Sequence, residues 1–207
     1  MFNESHREQL SSGMKMLGGE LTDKQLDQSI AFLKMLVKWN RVYNLSAIKA
    51  PEAMISLHML DSLAISPFLQ GKRCVDVGTG AGLPGIPLAI INSDINFTLL
   101  DSNSKKTRFI QQVCIELGLS NIEPMHARVE SFQPQQKFDT VTARAFTSLP
   151  ELLTKTRHLL VKGGKLLAMK SKELDAIEHN DFLYDSVQEL VIPSLDVTRH
   201  VVIYTAQ

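Results

Sequence analysis

A glycine-rich segment in the first half of the chain has the residue types and spacing of a ligand-binding loop. It reads Asp76-Val-Gly78-Thr-Gly80-Ala-Gly82-Leu-Pro-Gly85 and follows a short β-branched run. Glycines tolerate positive φ and let a ligand approach the backbone closely. A strand, this turn and a helix start would place the loop at the carboxyl ends of parallel strands, where α/β proteins bind ligands. The segment from Gly80 to Gly85 also fits the dinucleotide pattern G-x-G-x-x-G, which alone is a weak signal.

Two aspartates help to identify the cofactor that such a loop would hold. Asp76 lies two residues before Gly78, and Asp101 ends the next predicted strand. A carboxylate at Asp76 would repel a pyrophosphate and attract the methionine ammonium of S-adenosylmethionine. Asp101 stands where an acid commonly accepts hydrogen bonds from ribose hydroxyls, which suits either cofactor. The pair favours S-adenosylmethionine over NAD, although both aspartates could instead only cap helices.

Polar residues at the ends of later predicted strands are candidates for catalysis. Arg144 follows the fourth strand, where a guanidinium could bond a guanine carbonyl, a phosphate or the cofactor carboxylate; a surface salt bridge is the alternative. Lys170 ends the fifth strand, and a solvated lysine fits there nearly as well. His58 and Asp61 lie three residues apart on one helix face, either as an internal hydrogen-bond cluster or beside the cleft. No spacing predicts a metal site.

Strands and helices alternate after residue 71, which predicts an α/β fold with helices on both faces of a mostly parallel sheet. The last two strands are joined without a helix, so they should form an antiparallel pair at one edge. The predicted strands are 73–77, 96–100, 123–126, 138–143, 165–169, 186–191 and 200–205, and the predicted helices are 86–91, 104–117 and 149–160.

Residues 1–70 are predicted to form a helical extension, and residues 71–207 the cofactor-binding domain. Thr22 and Gln25 fit a capping box, followed by an apolar stripe that ends near residues 40–44. Pro51 suits the first turn of a second helix that would stop before Pro67. Because the extension has a wide apolar stripe and no core of its own, we expect it to pack against the sheet domain.

Composition limits the class of protein. The 207 residues include 22 basic and 22 acidic side chains, so any nucleic-acid surface must be a local patch. No apolar stretch is long enough to span a bilayer and no signal peptide is apparent, which favours a cytoplasmic protein. Cys74 and Cys114 lie in apolar sequence and are predicted to be reduced core residues.

The chain resembles the bacterial small-subunit ribosomal RNA guanine-N7 methyltransferase family, formerly called glucose-inhibited division protein B, over nearly its whole length. It departs from that family's pattern at Ser171, where glycine is expected, and at Ala81, where proline is frequent. Besides the loop, the matching segments are Lys38-Trp-Asn40, Tyr43-Asn-Leu45, His58-Met-Leu-Asp61-Ser62, Leu99-Leu-Asp101-Ser102, Arg128-Val-Glu130, Arg144-Ala-Phe146 and Arg199-His200.

The resemblance implies a Rossmann-like class I methyltransferase with a seven-stranded sheet. It implies methyl transfer from S-adenosylmethionine to N7 of a guanosine in the 530-loop region of 16S ribosomal RNA, within the small subunit or an assembly intermediate. A monomer is expected. The candidate catalytic residues are Arg144, Lys170 and His58. The candidate cofactor-binding residues are Asp76, Gly78, Gly80, Gly82, Leu83, Asp101, Val129, Glu130 and Arg144, and the resemblance suggests that the backbone of Val129 and Glu130 reads the adenine edge.

The sequence around the fourth strand agrees with this chemistry. N7 of guanine carries no proton, so the reaction needs positioning more than a general base. The Asn/Asp-Pro-Pro-Tyr segment typical of amine methylation is absent, and no cysteine stands near that strand. Three alternatives stay open: a methyltransferase of another substrate, an NAD-dependent dehydrogenase and a non-catalytic RNA-binding factor.

An RNA surface is predicted from local basic residues. One group lies in the helical extension, where the chain turns back toward the glycine loop. Others start the helix after Asp101 or follow the fifth strand. These residues are Lys38, Arg41, Tyr43 and Lys49, then Lys105, Lys106 and Arg108, and finally Lys170 and Lys172.

Overall fold

The computed structural model describes residues 2–171, 176–195 and 197–207, so Lys172 of the predicted RNA surface lies outside the described residues. A seven-stranded sheet in the order β3-β2-β1-β4-β5-β7-β6 organises the chain. Its strands are β1 (Arg73–Val77), β2 (Asn96–Asp101), β3 (Ile122–His126), β4 (Phe138–Arg144), β5 (Leu160–Lys170), β6 (Phe182–Leu190) and β7 (Arg199–Ala206).

The strand directions agree with the predicted α/β architecture. The strands β1 to β5 pair in parallel. β7 runs antiparallel to both β5 and β6, so the predicted antiparallel pair at one edge is confirmed. Within that pair β7 is the reversed strand, and it lies between β5 and the outermost strand β6. This pairing brings Arg199, the first residue of β7, close to the carboxyl end of β5.

Helices cover both faces of the sheet. None of the described helices is long and apolar enough to cross a membrane. Between α3 and α4 the chain forms a π-helical segment, Ile55–Leu60. The helices are α1 (Glu4–Met16), α2 (Asp23–Tyr43), α3 (Pro51–Met54), α4 (Asp61–Leu63), α5 (Gly85–Ile91), α6 (Ser104–Leu117) and α7 (Leu149–Thr156).

Alternation along the strands divides the core into two layers. Phe97 and Leu99 of β2 point into the layer beneath α1, α2, α5 and α6. Val75 and Val77 of β1 point to the opposite layer, which α7 covers. Such alternation is expected for strands buried on both faces.

The N-terminal helices pack directly on the sheet domain. The Trp39 and Phe109 ring centroids lie 5.5 Å apart, and Phe32 approaches the same Phe109 ring at 6.3 Å. Gln28 Nε2 donates a hydrogen bond to the Leu117 carbonyl at the end of α6. The predicted capping box of Thr22 is present, and α2 ends with Asn44 in the left-handed region. The boundary of two units at residue 70 stays a prediction.

Several predicted boundaries differ from the observed ones. The sequence does not predict α1 as a separate helix, because only two of its four buried residues, Leu10 and Met14, are large and apolar. The helix predicted from Pro51 onward is interrupted by the π-helical segment. α7 ends at Thr156, earlier than predicted. β5 begins at Leu160, because the strand continues through an irregularity in its pairing with β4 that contains Gly163 at φ +79°. β6 begins at Phe182, earlier than predicted.

Both cysteines are free, as the sequence predicts. Cys74 is buried on β1, and burial raises the pKa of its thiol. Cys114 on α6 is only partly buried, which corrects its assignment to the core. Cys114 packs against the edge of the core, because α6 buries only one of its faces.

Candidate active site

The glycine loop joins β1 to α5 at the carboxyl edge of the sheet. The backbone N–H groups of Gly78 and Thr79 donate to the Leu100 carbonyl at 2.9 and 3.1 Å, which holds the loop to the end of β2. Gly78 has φ +68°, and a Cβ there would overlap the Phe146 ring. A glycine is therefore required at this position both by the backbone conformation and by the close approach of Phe146.

The Asp76 carboxylate is fully buried behind this loop. Its Oδ2 accepts from Thr79 Oγ1 at 2.6 Å and from the Gly85 N–H at 2.9 Å, and its Oδ1 accepts from Thr142 Oγ1 at 3.3 Å. Burial raises the pKa of Asp76 to about 6, while the bonds from Thr79 and Gly85 oppose that rise. The direct ion pair of Asp76 with a cofactor ammonium stays a prediction, and in this conformation the carboxylate has no exposed surface.

Asp101 lies at the other side of the loop, at the end of β2. Its Oδ2 accepts from the Gly80 N–H at 2.9 Å, and its Oδ1 accepts from the Asn103 N–H at 2.8 Å. Lys106 Nζ lies 3.4 Å from Oδ2. A carboxylate has about four acceptor positions, so Asp101 keeps capacity for ligand hydroxyls.

A cleft of about 300 Å³, here called the cofactor cleft, opens beside Asp101. Gly78, Val129 and Glu130 line it with Asp101, as the sequence predicts. Its wall also includes Val77, Leu100, Ser102, Lys106, Ala127, Arg128, Ala145, Phe146 and Lys155.

Five predicted cofactor-binding residues do not line this cleft, namely Asp76, Gly80, Gly82, Leu83 and Arg144. Leu83 is buried in the core beneath the loop. Gly80 and Gly82 shape the loop through positive φ values. The Glu130 carboxylate forms an ion pair with Lys155 at 2.9 Å, and this hydrogen bond holds the pKa of Glu130 below its usual value.

A second cavity of about 360 Å³, here called the acceptor cavity, adjoins the cofactor cleft at Ala145, which lines both. All three predicted catalytic residues line it: His58, Arg144 and Lys170. The rest of its wall consists of Ile48, Leu57, Asp61, Met169, Ser171, Leu190, Arg199 and His200. The fold thus gathers polar residues from the helical extension and from three strands into one cavity.

Arg144 is fixed by the helical extension. Its Nη1 donates to the Leu57 carbonyl at 2.9 Å and to Asp61 Oδ2 at 3.0 Å. The Leu57 carbonyl belongs to the π-helical segment, and such segments often occur at functional sites. The side chain is not a freely solvated surface arginine, because only about a fifth of it is exposed, at 21%.

Asp61 lies between two guanidinium groups. Arg199 Nε lies 3.2 Å from Asp61 Oδ1, opposite Arg144. Asp61 itself is only 3% exposed. Sequence reasoning assigned no role to Arg199; the contact joins residues far apart in the chain, and no local pattern signals it.

His58 is held as a neutral side chain. Its Nε2 lies 2.8 Å from Ser46 Oγ, and Ser46 is in turn bound through its backbone by the Asn40 side chain. Burial, together with the positive charge of Arg144, lowers the pKa of His58 to about 4. The imidazole is therefore uncharged at neutral pH.

Lys170 completes the polar wall. Its Nζ donates to the Thr147 carbonyl at 3.1 Å, and burial lowers the pKa of this ammonium group. The sequence does not predict a role for Phe146, which lines the cofactor cleft, or for Ser46, which contacts His58. Within the described parts of the chain, no three His, Cys, Asp or Glu side chains converge to hold a metal ion.

The predicted RNA surface lies along α2 and the start of α6. Lys38 lines a groove with Trp39 and Tyr43, whose ring centroids are 5.3 Å apart. Arg41 is exposed at the end of α2, and Lys105 is exposed at the start of α6.

Comparison with known proteins identifies the family. A family model described as rRNA small subunit methyltransferase G matches residues 25–202. The chain is 45% identical over 207 residues to ribosomal RNA small subunit methyltransferase G of Pseudomonas syringae pv. tomato, covering 98% of each protein. It is also 45% identical over 200 residues to the protein of that name from Shigella dysenteriae serotype 1, covering 95% of this chain and 97% of the relative.

Solved structures of lower identity share the fold. Magnesium protoporphyrin IX methyltransferase from Synechocystis PCC 6803 superposes with a TM-score of 0.59 at 17% identity, covering 91% of this chain and 99% of that one. A SAM-dependent methyltransferase from Aquifex aeolicus gives a TM-score of 0.57 at 14% identity, covering 74% and 93%. These similarities establish the class I methyltransferase fold. By sequence over nearly its full length, the chain belongs to the rRNA small subunit methyltransferase G family.

Proposed function

We propose that this protein transfers a methyl group from S-adenosylmethionine to N7 of a guanosine in the 530-loop region of 16S ribosomal RNA. The observation that carries the proposal is the junction of two cavities at Ala145. One cavity is lined by Gly78 of the glycine loop and by Asp101, and the other is lined by Arg144, Lys170 and His58. Family membership supplies the class of substrate.

The cofactor cleft fits S-adenosylmethionine. Asp101 has acceptor capacity for ribose hydroxyls, and the backbone of Val129 and Glu130 borders the place of the adenine. Asp76 would act through the loop, because its bonds to Thr79 and Gly85 set the loop's shape. When bound, the cofactor supplies an electrophilic methyl group on a positively charged sulfur.

The residues of the acceptor cavity suit a reaction that needs no base. N7 of guanine already has a free lone pair, so no proton has to be removed before attack. Neutral His58 and the fixed Arg144 guanidinium would hold the base and its neighbouring groups in place. Such positioning can account for a large share of the rate enhancement.

The proposal includes where the protein acts. It meets 16S RNA in the cytoplasm, within the small ribosomal subunit or an assembly intermediate, as a monomer. Lys38, Arg41 and Tyr43 form one wall of the RNA-binding surface, and Lys105 and Arg108 extend it.

Transfer of labelled methyl groups tests the proposal. Small subunits from a strain that lacks this protein should accept label from S-adenosylmethionine, and subunits from the parent strain should not. Calorimetric titration should show binding of S-adenosylhomocysteine and none of NADH. Tighter binding of NADH would favour a dehydrogenase, and RNA binding without transfer would favour a non-catalytic factor.

A further inference from the structure

Three buried polar atoms on residues that line the acceptor cavity have no hydrogen-bond partner among the described residues. They are His58 Nδ1, Asp61 Oδ1 and His200 Nδ1. All three side chains line this one cavity. Buried polar groups nearly always have partners, so orphaned atoms that converge on one cavity indicate that a ligand supplies the missing bonds.

Asp61 Oδ1 is the most informative of these atoms. Arg144 Nη1 donates to the other oxygen, Oδ2, at 3.0 Å. Arg199 Nε forms an ion pair with Oδ1 at 3.2 Å outside hydrogen-bond geometry, so Oδ1 is paired in charge but has no hydrogen-bond donor among the described residues. An ionised carboxylate has acceptors only, so its missing partner must be an N–H or O–H donor.

The two edges of guanine differ in the groups they present. N7 and O6 are acceptors, whereas the edge away from N7 carries the N1–H and the N2 amino donors. Adenine has no donor at N1 and no amino group at C2. A buried carboxylate oxygen beside the acceptor base would therefore favour guanine over adenine.

We propose that the acceptor cavity is the base pocket and that Asp61 Oδ1 reads the donor edge of guanine by accepting from N1–H or the N2 amino group. This inference rests on the proposed function, because it takes N7 as the methylated atom. Asp61 also positions Arg144 and Arg199, which leaves their remaining N–H groups for guanine O6 or a phosphate.

A double-mutant cycle that changes both the target base and Asp61 tests this proposal. Small subunits are reconstituted with ligated 16S RNA that carries guanosine, inosine or 2-aminopurine riboside at the target. Inosine lacks only the N2 amino group, whereas 2-aminopurine lacks both the N1–H and the O6 acceptor, so its penalty supports the inference only where a change at Asp61 removes it. In the wild-type protein at least one analogue should lower kcat/KM about tenfold or more, the scale of one hydrogen bond to a charged group.

Asp61→Asn should remove most of that penalty. With its amide oxygen turned to Arg144, the asparagine presents an NH₂ group where Oδ1 stood, so the donor edge of guanine loses its acceptor. The analogue penalty should then fall to about twofold or less. Asp185→Asn is the matched control, since Asp185 pairs with Lys165 away from the cavity, and it should keep the full penalty.

Binding of S-adenosylhomocysteine checks that each variant is folded. If Asp61→Asn fails this check, Asp61→Ser replaces it in the same cycle. Equal kcat/KM for all three bases in the wild-type protein, or the same penalty in the Asp61 variant, would overturn the inference. Failure of the wild-type protein to methylate guanosine-containing subunits would instead contradict the proposed function.

Discussion

Nη1 of Arg144 lies 3.0 Å from Oδ2 of the buried Asp61, so the arginine at the end of β4 is held by a carboxylate from the helical extension. The same guanidinium nitrogen donates to the Leu57 carbonyl. The extension therefore contributes directly to the acceptor cavity and sets the position of its main cation.

Arg144→Ala should lower kcat/KM for methyl transfer by about a hundredfold or more, because a preorganised donor at the reacting base is lost. Affinity for S-adenosylhomocysteine should stay within about twofold, since the side chain lines the acceptor cavity and not the cofactor cleft. Arg73→Ala is the matched control: Arg73 stacks on Phe138 at the far end of the sheet. Unchanged kinetics in Arg144→Ala would show that Arg144 has no part in the reaction.

Asp76 should be replaceable by asparagine but not by alanine. An asparagine can accept from Thr79 and the Gly85 N–H through its amide oxygen and donate to Thr142 Oγ1 through its nitrogen. Asp76→Ala leaves the Gly85 N–H without its partner, and we expect it to lower both stability and cofactor affinity. Calorimetric titration with S-adenosylhomocysteine distinguishes the two, and equal loss in both variants would mean that the charge itself is required.

The stability difference between Asp76→Asn and the wild type should depend on pH. The folded-state pKa of about 6 exceeds the ordinary value of 3.8, so the folded protein binds more protons between these values. Wild-type stability relative to Asp76→Asn should therefore fall by about 2 kcal/mol as pH rises from 4 to 7. Urea unfolding of both proteins at several pH values measures this, and a constant difference would contradict the raised pKa.

His58 should remain neutral well below pH 6.5. Because burial depresses its pKa to about 4, the unfolded chain takes up a proton first as the pH falls. The stability that neutral His58 contributes is thus present above pH 6.5 and is lost as pH falls toward 4. NMR titration, with the signal assigned by its absence in His58→Gln, should show a midpoint near 4; a midpoint near 6.5 would mean that the imidazole is solvated.

Neutralising Lys38 and Arg41 together should weaken binding to small subunits and reduce the salt slope by about one unit for each lost phosphate contact. Affinity for S-adenosylhomocysteine should not change, because neither residue lines the cofactor cleft. Lys24→Ala with Lys34→Ala is a control of equal charge on the same helix. Equal effects of the two double variants would show that only net charge matters, and no effect of either would place the RNA elsewhere.

Local patterns in the sequence were enough to predict the segment from β1 to α6. The alternation of strand and helix, the glycine loop and Asp101 are all signalled within short windows, and the bounds of β1 match the prediction. Arg144 and Lys170 are expected near one another because the ends of parallel strands share one edge, and both line the acceptor cavity. His58, for which the sequence leaves an internal cluster and a place beside the cleft open, lines the same cavity.

Features that depend on tertiary contacts could not be predicted in this way. The pairing of Arg199 with Asp61 follows from the place of β7 between β5 and β6. The π-helical segment replaces what the apolar spacing predicts as regular helix. The bond from Thr142 on the neighbouring strand to the buried Asp76 carboxylate joins residues far apart in the chain, so no local pattern signals it.

Mapping the methylated nucleotide tests the central claim most directly. Small subunits from a strain that lacks this protein are incubated with the protein and S-adenosylmethionine, and their 16S RNA is then reduced with borohydride and treated with aniline. That chemistry cleaves RNA at N7-methylguanosine. We predict one new break, at a guanosine in the 530-loop region, that Arg144→Ala strongly reduces. Incorporation of label without a break at that site would show that the protein methylates a different atom or a different nucleotide.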